Sequence, residues 1–227
     1  MKSLRRPAVY QGVTYPEYEV EFNTSNVHSM RCDNRILKPR FDRCDYLRYN
    51  FSLGGVLIHV RQHRLIAETF PDLIQLSPIV SHHGLKIGKE RRELEFGTAF
   101  RMICNMVCPD HIDCNRANNH HSNLMIVTQF ENILKCGPRK GKYKGLYKTS
   151  YGTYQVDTSF YSILDENGKH LRLSKNFKTE EEAALGHNTI LEESLLTIFG
   201  LDLGPKMYDI AYKNVIETPV QEQLILG

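Results

Sequence analysis

The apolar positions in the first third of the chain recur with the period of strands. From Glu17 to Phe22 they alternate, so Tyr18, Val20 and Phe22 share one face. Residues 23–26, Asn-Thr-Ser-Asn, read as a turn. Residues 46–53 alternate again, and Gly54-Gly55 reads as a hairpin turn into Val56–Val60. From His63 to Phe70 the period becomes helical, and Pro71 ends it. The 39 residues from 71 to 109 are less regular: 86–95 is a charged run, and 100–107 fits a strand or a short helix.

Two short apolar runs then enclose a polar stretch. Val107–Asp110 and Leu124–Val127 flank a loop rich in Asn and His, followed by Thr128-Gln-Phe-Glu131. That tetrad is a capping box, which predicts a helix starting at Gln129. Phe130, Ile133 and Leu134 share one face of it and Asn132 falls opposite. Further on, short strands are expected at 143–147, 153–158 and 171–173. A second capping box at Thr179–Glu182 opens a helix that should run to about Phe199 and stop at Gly200. Its apolar stripe is Ala183, Ile190, Leu191, Leu195 and Ile198, with Gly186 costing about 1 kcal/mol against Ala. His187 interrupts the stripe and reads as a hydrogen-bonded residue at the core edge.

Composition narrows the class. At 227 residues with 41% hydrophobic side chains the chain can build real cores. A net charge of +3 permits a nucleic-acid partner without requiring one. Residues 1–16 lack the apolar centre of a secretory signal, and no run is long enough to span a membrane. The expectation is a cytoplasmic protein with no membrane association. The six cysteines are then read as free thiols. Cys104, Cys108, Cys114 and Cys136 flank the polar stretch without paired knuckle spacing, so a structural Zn²⁺ is not expected. The histidine doublets 82–83 and 120–121 read as solvent-exposed loops, and His63 as structural.

The polar stretch carries the candidate chemistry. Phosphodiester hydrolysis needs an activated water, a cation on the phosphate and help for the leaving oxygen. His111 suits the general base, and Asp110 and Asn132 offer the hard oxygens that Mg²⁺ or Mn²⁺ prefers. Asn123 opens the second strand and suits the task of orienting His111. As neighbours on a strand, Asp110 and His111 point to opposite faces. Lys135, Arg139, Lys140, Lys142, Lys144 and Lys148 form a basic run with no acidic residue among them, in position for phosphate contacts.

The Asp110-His111 pair, Asn118-Asn119, the segment from Asn123 to Thr128 and Glu131-Asn132 together resemble the HNH (ββα-metal) endonucleases of phage homing and intron-encoded type. The resemblance implies that His111 is the general base, that Asp110 and Asn132 bind the metal, and that Asn123 orients the histidine. Residues 18–29, 36–39, 46–48 and 63–70 resemble the modular segment that precedes the nuclease in that family. Residues 143–147, 154–156, 167–169 and 177–184 resemble the DNA-binding domain of plant ethylene-response factors. Tyr147, Lys148, Tyr154, Lys169 and Arg172 are then candidate DNA contacts in a major-groove sheet. Two departures stand out: the long 71–109 insertion, and Cys114 where the family commonly has glycine.

The expected architecture is α+β. A β-rich N-terminal segment leads into a ββα-metal domain (1–136, core motif 107–136), followed by a basic linker (137–148). A small three-stranded antiparallel sheet packed on one helix follows (143–205), and then a tail (206–227). The expected function is a divalent-metal-dependent DNA endonuclease, monomeric on double-stranded DNA. The alternative is an inactive HNH-fold protein that binds DNA without cutting it.

Overall fold

The structure, a computed structural model, describes residues 3–138 and 141–216. Its first elements are β1 (Arg5–Tyr10), β2 (Val13–Glu21), β3 (Val27–Ser29), β4 (Arg35–Ile36), β5 (Arg40–Phe41), β6 (Leu47–Leu53) and β7 (Val56–Arg61). Then come α1 (Gln62–Thr69), β8 (Gln75–Leu76), α2 (Pro78–His82), β9 (Arg92–Phe96) and β10 (Phe100–Cys104). The second half holds β11 (Val107–His111), β12 (Leu124–Thr128), α3 (Gln129–Lys135), β13 (Leu146–Lys148), β14 (Tyr154–Leu164), β15 (His170–Phe177) and α4 (Glu180–Ile210). The mixed α+β class is therefore observed. The chain divides into two compact units: Met1–Arg92 with Cys104–Asn132, and Glu93–Ile103 with Ile133–Gly227.

In the first unit β1 to β4 form an antiparallel sheet in sequence order, and β5, β6 and β7 form a second. The predicted alternation is seen in β2, where Tyr18 and Val20 are buried and Glu17 and Glu19 are not; Glu21 at its end is buried as well, and Phe22 beyond it is half-buried. Tyr18 stacks on Phe51 of β6 with ring centroids 3.9 Å apart, joining the two sheets through one apolar centre. Gly54 and Gly55 both take positive φ, the requirement of a two-residue hairpin turn, and fix the β6–β7 register.

The third sheet of this unit carries the candidate site. β11 and β12 are antiparallel, with His111 opposite Leu124, and β8 adds to β12 in parallel. α3 starts at Gln129 as its capping box predicts: Thr128 Oγ1 accepts from Glu131 N at 3.2 Å. The Glu131 carboxylate is only 1% exposed and accepts from Thr128 N (2.9 Å), Thr128 Oγ1 (2.9 Å), Ser77 Oγ (2.6 Å) and Ile79 N (2.8 Å). One side chain thus caps α3 and also binds the first turn of α2, which anchors the start of the insertion.

The second unit takes up the rest of the insertion. Residues 100–104 form strand β10, which pairs with the far end of β14 and brings β9 with it. The expected three-stranded sheet is therefore five-stranded: β13 and β15 pair with β14, and the β9–β10 hairpin extends it. Val156, Thr158 and Phe160 face inward from β14, and Ala183, Leu191, Leu195 and Ile198 form the buried stripe of α4. The helix breaks at Gly200 (φ 72°, ψ −177°), where the sequence predicts its stop, and resumes to Ile210. His187 is 3% exposed, so it lies in the core; a hydrogen bond to Asn188 serves the ring, while its Nδ1 has no partner among the described residues.

Candidate functional site

β11 presents its residues with strict alternation. Val107, Pro109 and His111 are buried, while Cys108 and Asp110 are half-buried on the other face. The Asp110 and His111 side chains therefore diverge, as strand geometry demands. Asn132 is half-buried on α3. Asp110 and Asn132 are thus half-buried, whereas His111 is almost wholly covered.

His111 is 2% exposed and belongs to a polar pocket beneath the N-terminal segment. Its Nε2 is 2.8 Å from Asn119 Oδ1. The His63 ring lies 5.1 Å from it and the Tyr46 ring 6.0 Å, centroid to centroid. Tyr46 has a guanidinium on it from each of Arg61 (4.6 Å) and Arg116 (5.0 Å). Arg61 also binds Asp42 at 2.9 Å, and Arg116 donates to Cys44 O at 3.0 Å. Burial pushes the His63 imidazole down to about 3, so it is neutral at physiological pH.

Asn123 does a different job from the one expected. Its Nδ2 donates to Asp113 Oδ1 and to Asn118 O, both at 2.8 Å, and its Oδ1 accepts from Asp113 N at 3.1 Å. The two bonds to Asp113 tie the ends of the 112–123 loop together, and the bond to Asn118 O holds its middle. Asp113 also accepts from Asn118 Nδ2 (2.7 Å) and Asn115 N (2.8 Å), and these amides hold its carboxyl below the usual range. Asn119, from the same polar loop, is the asparagine against His111. Spacing alone cannot separate the two roles, because both residues lie in one polar run.

The expected DNA contacts divide into three groups. Arg139 and Lys140 lie outside the described residues. Lys144 is not available to a phosphate: its Nζ donates to Ile133 O (3.0 Å) and Leu134 O (2.7 Å), and burial pushes its amine down to about 8. It caps the C-terminal carbonyls of α3 instead. The others are nearer the surface. Lys142 and Lys148 are exposed, with their Nζ atoms 5.0 Å and 5.8 Å from the Tyr143 and Tyr154 rings. Lys169 is exposed in the β14–β15 turn, and Lys135 and Tyr154 are half-buried. Arg172 binds Asp157 in a forked pair (3.0 and 2.5 Å), and Tyr147 OH reaches the same carboxylate at 3.4 Å.

A basic feature of the first unit escapes sequence reasoning. Arg35, Lys38, Arg40 and Arg48 line a cavity of about 390 Å³ together with Asn50 and no carboxylate. None of the four cations is ion-paired among the described residues. They come from β4, β5, β6 and a connection between them, so no local charge run announces them. No group of three or more His, Cys, Asp or Glu side chains among the described residues is arranged to hold a metal. No helix of the described residues is long and apolar enough to cross a membrane.

No family model matches the chain. Over 100 residues it is 34% identical to a protein of Acanthamoeba polyphaga mimivirus named as an uncharacterized HNH endonuclease, L560; the match covers 44% of this chain. The chain spans about half (47%) of that relative's length. Among solved structures it is similar to the HNH homing endonuclease I-HmuI, described for DNA binding and cleavage, at 19% identity and a TM-score of 0.38, covering 83% of this chain and 91% of that one.

Proposed function

We propose that this chain is a divalent-metal-dependent DNA endonuclease of HNH type, homing or homing-like, which hydrolyses phosphodiester bonds in double-stranded DNA as a monomer. The observation that carries the proposal is the succession β11, braced loop, β12, α3. It gives Asp110, His111 and Asn132 to three points of one ββα unit, with Asn123 and Asp113 bracing the loop between the strands. The similarity over 100 residues to a protein named as an HNH endonuclease supports the same reading.

Each side chain then has a task. His111 takes the proton of the attacking water. Asn123 is a positioning residue acting through the loop. The Asp110 carboxylate and Asn132 carboxamide are half-buried hard oxygen donors, a set that fits Mg²⁺ or Mn²⁺ with water and phosphate filling the remaining positions. Such an ion, when bound, offsets the charge on the phosphate and on the departing oxygen. Because His111 is buried, catalysis requires a rearrangement on DNA engagement that admits water to it; Arg116, over the Tyr46 ring near it, is a cation that a phosphate would engage.

DNA selection is assigned to two surfaces. One is the cluster of Arg35, Lys38, Arg40 and Arg48, which has no ion-pair partner among the described residues. The other is the outward face of β13, β14 and β15, where Tyr147, Gln155, Asp157 and Arg172 present polar atoms. A second reading, DNA binding without cleavage, is favoured by one observation, the burial of His111. His111→Ala separates the two. On the endonuclease reading it binds duplex DNA like the parent and loses Mg²⁺-dependent cleavage by about 10²-fold or more, and EDTA does the same to the parent protein. Undiminished cleavage by His111→Ala removes His111 from the mechanism. Failure of the parent to cut any duplex with any divalent ion leaves the binding reading.

A further inference from the structure

Arg172 of β15 stands on the outward face of its sheet with its side chain 63% exposed, and one carboxylate holds it there. Strand alternation puts Gln155, Asp157 and Ser159 of β14 on the same face, because Val156, Thr158 and Phe160 point inward. Arg172 Nε donates to Asp157 Oδ2 at 3.0 Å and Nη2 donates to the same oxygen at 2.5 Å, with Oδ1 3.2 Å from Nε. Asp157 is fixed in turn: Ser159 Oγ donates to its Oδ1 at 2.6 Å and Tyr147 OH to its Oδ2 at 3.4 Å. The register brings them together. Arg172 is opposite Ser159 and Tyr147 is opposite Gln155, so both reach Asp157 along a diagonal. An exposed ion pair adds little to stability, but this one fixes a direction. A guanidinium carries five N–H groups in one plane. The side-on pair, on Nε and Nη2, goes to Asp157; the end-on pair, one hydrogen on each of Nη1 and Nη2, points away from the carboxylate. Besides Asp157, only the Tyr147 hydroxyl among the described residues engages the guanidinium.

We infer that Arg172 reads a guanine in the major groove and that Asp157 is the positioning residue that aims it, so the pair sets sequence preference and contributes little to overall affinity. Two parallel donors match the O6 and N7 acceptors on the major-groove edge of guanine. A phosphate is the poorer partner, because Asp157 already neutralises the arginine. The neighbours on this face agree: Gln155, Ser159, Ser174 and Tyr147 are neutral donors and acceptors, suited to base edges more than to a charged backbone. The inference rests on the reading of the β13–β15 face as a surface that selects DNA, and it adds the base and the side chain that recognises it. Counting charges along the sequence passes over this pair, since an arginine with an acid partner adds nothing to the net charge.

The test uses the full-length protein in EDTA, so that binding is read without cleavage. Duplexes with a random segment are selected on the parent, on Arg172→Lys and on Asp157→Asn, and the bound pools are sequenced. The parent should enrich guanine at one position by about tenfold or more over other bases, and both variants should lose that enrichment at that same position. On the parent's selected duplex, 7-deazaguanine at this position lacks the N7 acceptor. It should weaken binding by the parent by about fivefold or more and leave binding by Arg172→Lys unchanged. Asp157→Asn removes a negative charge, so its affinity for unselected duplex should equal or exceed the parent's while the guanine preference falls. A pair with a merely structural role would not separate those two readouts. A guanine preference that survives in both variants overturns the inference and leaves the face selecting DNA through other residues. Tighter binding by Asp157→Asn with the preference kept does the same, since Arg172 would then be a phosphate contact. A parent that enriches no sequence overturns the reading of this face as DNA-selecting, and the inference with it.

Discussion

Cys114 sits in the left-handed region, φ 61°, in the turn where its N–H donates to His111 O at 3.2 Å. A side chain there costs about 1–2 kcal/mol against Cβ crowding, whereas glycine adopts this conformation freely and loses some of the gain to its more flexible unfolded chain. Cys114→Gly should therefore stabilise the protein by up to about 1 kcal/mol, read as a higher urea midpoint with unchanged slope. Glycine is also the residue that the HNH resemblance leads one to expect here. His187 supplies a pH-dependent counterpart. Burial, opposed by a hydrogen bond to Asn188 and aided by the charge of Lys144, pushes its imidazole down to about 4. A folded value below the ordinary 6.5 means that folding favours the neutral ring. The stabilisation is complete above pH 6.5 and is lost as pH falls from 6.5 through 4, at up to about 1.4 kcal/mol per pH unit. His187→Leu should remove that much of the slope of stability against pH in this window. The part due to His63, of the same sign and lowered further, should remain.

At the level of elements, Gly186 illustrates how packing overrides propensity. In an open helix Gly→Ala would stabilise α4 by about 1 kcal/mol. Here a Cβ at 186 would stand 2.1 Å from Cζ of Phe177 and 2.5 Å from its Cε1. The ring at the end of β15 lies directly on the helix backbone, so the methyl group forces it away. Gly186→Ala should destabilise by about 1–3 kcal/mol, measured by thermal or urea unfolding; a stabilised variant would show that Phe177 can leave at little cost. What the sequence made legible follows the range of the interactions. Both capping boxes, the Gly54-Gly55 turn and the Gly200 break are local and lie where expected. The pairing of β10 with β14 joins residues about sixty positions apart and has no local signature, and the same holds for the bond from Glu131 to α2. In the candidate site, the order of Asp110, His111, Asn123 and Asn132 along strand, loop, strand and helix was readable. The partner of His111 was not, because Asn119 and Asn123 differ only in which way the loop turns them.

Over the whole chain, net charge is a poor guide to where an anion would bind. The value of +3 is spread over 29 basic and 26 acidic residues, and many of the exposed arginines are already engaged. Arg6, Arg31, Arg61, Arg92, Arg101 and Arg172 each hold a carboxylate. Such pairs gain little from a phosphate, since the carboxylate has to be displaced first. Among the described residues Arg35, Lys38, Arg40 and Arg48 have no such competitor, so each phosphate they neutralise releases its condensed counterions in full. The double variant Arg40→Gln, Arg48→Gln should accordingly weaken binding to duplex DNA of any sequence and reduce the steepness of log K against log salt by roughly 2, about 0.9 for each phosphate that is no longer neutralised. The matched control is Arg92→Gln with Arg101→Gln, which removes the same charge from paired positions and should change the salt slope by less than about 0.5. Equal effects from the two double variants would mean that only total charge matters, and would remove the cavity between β4 and β6 from the DNA-binding surface.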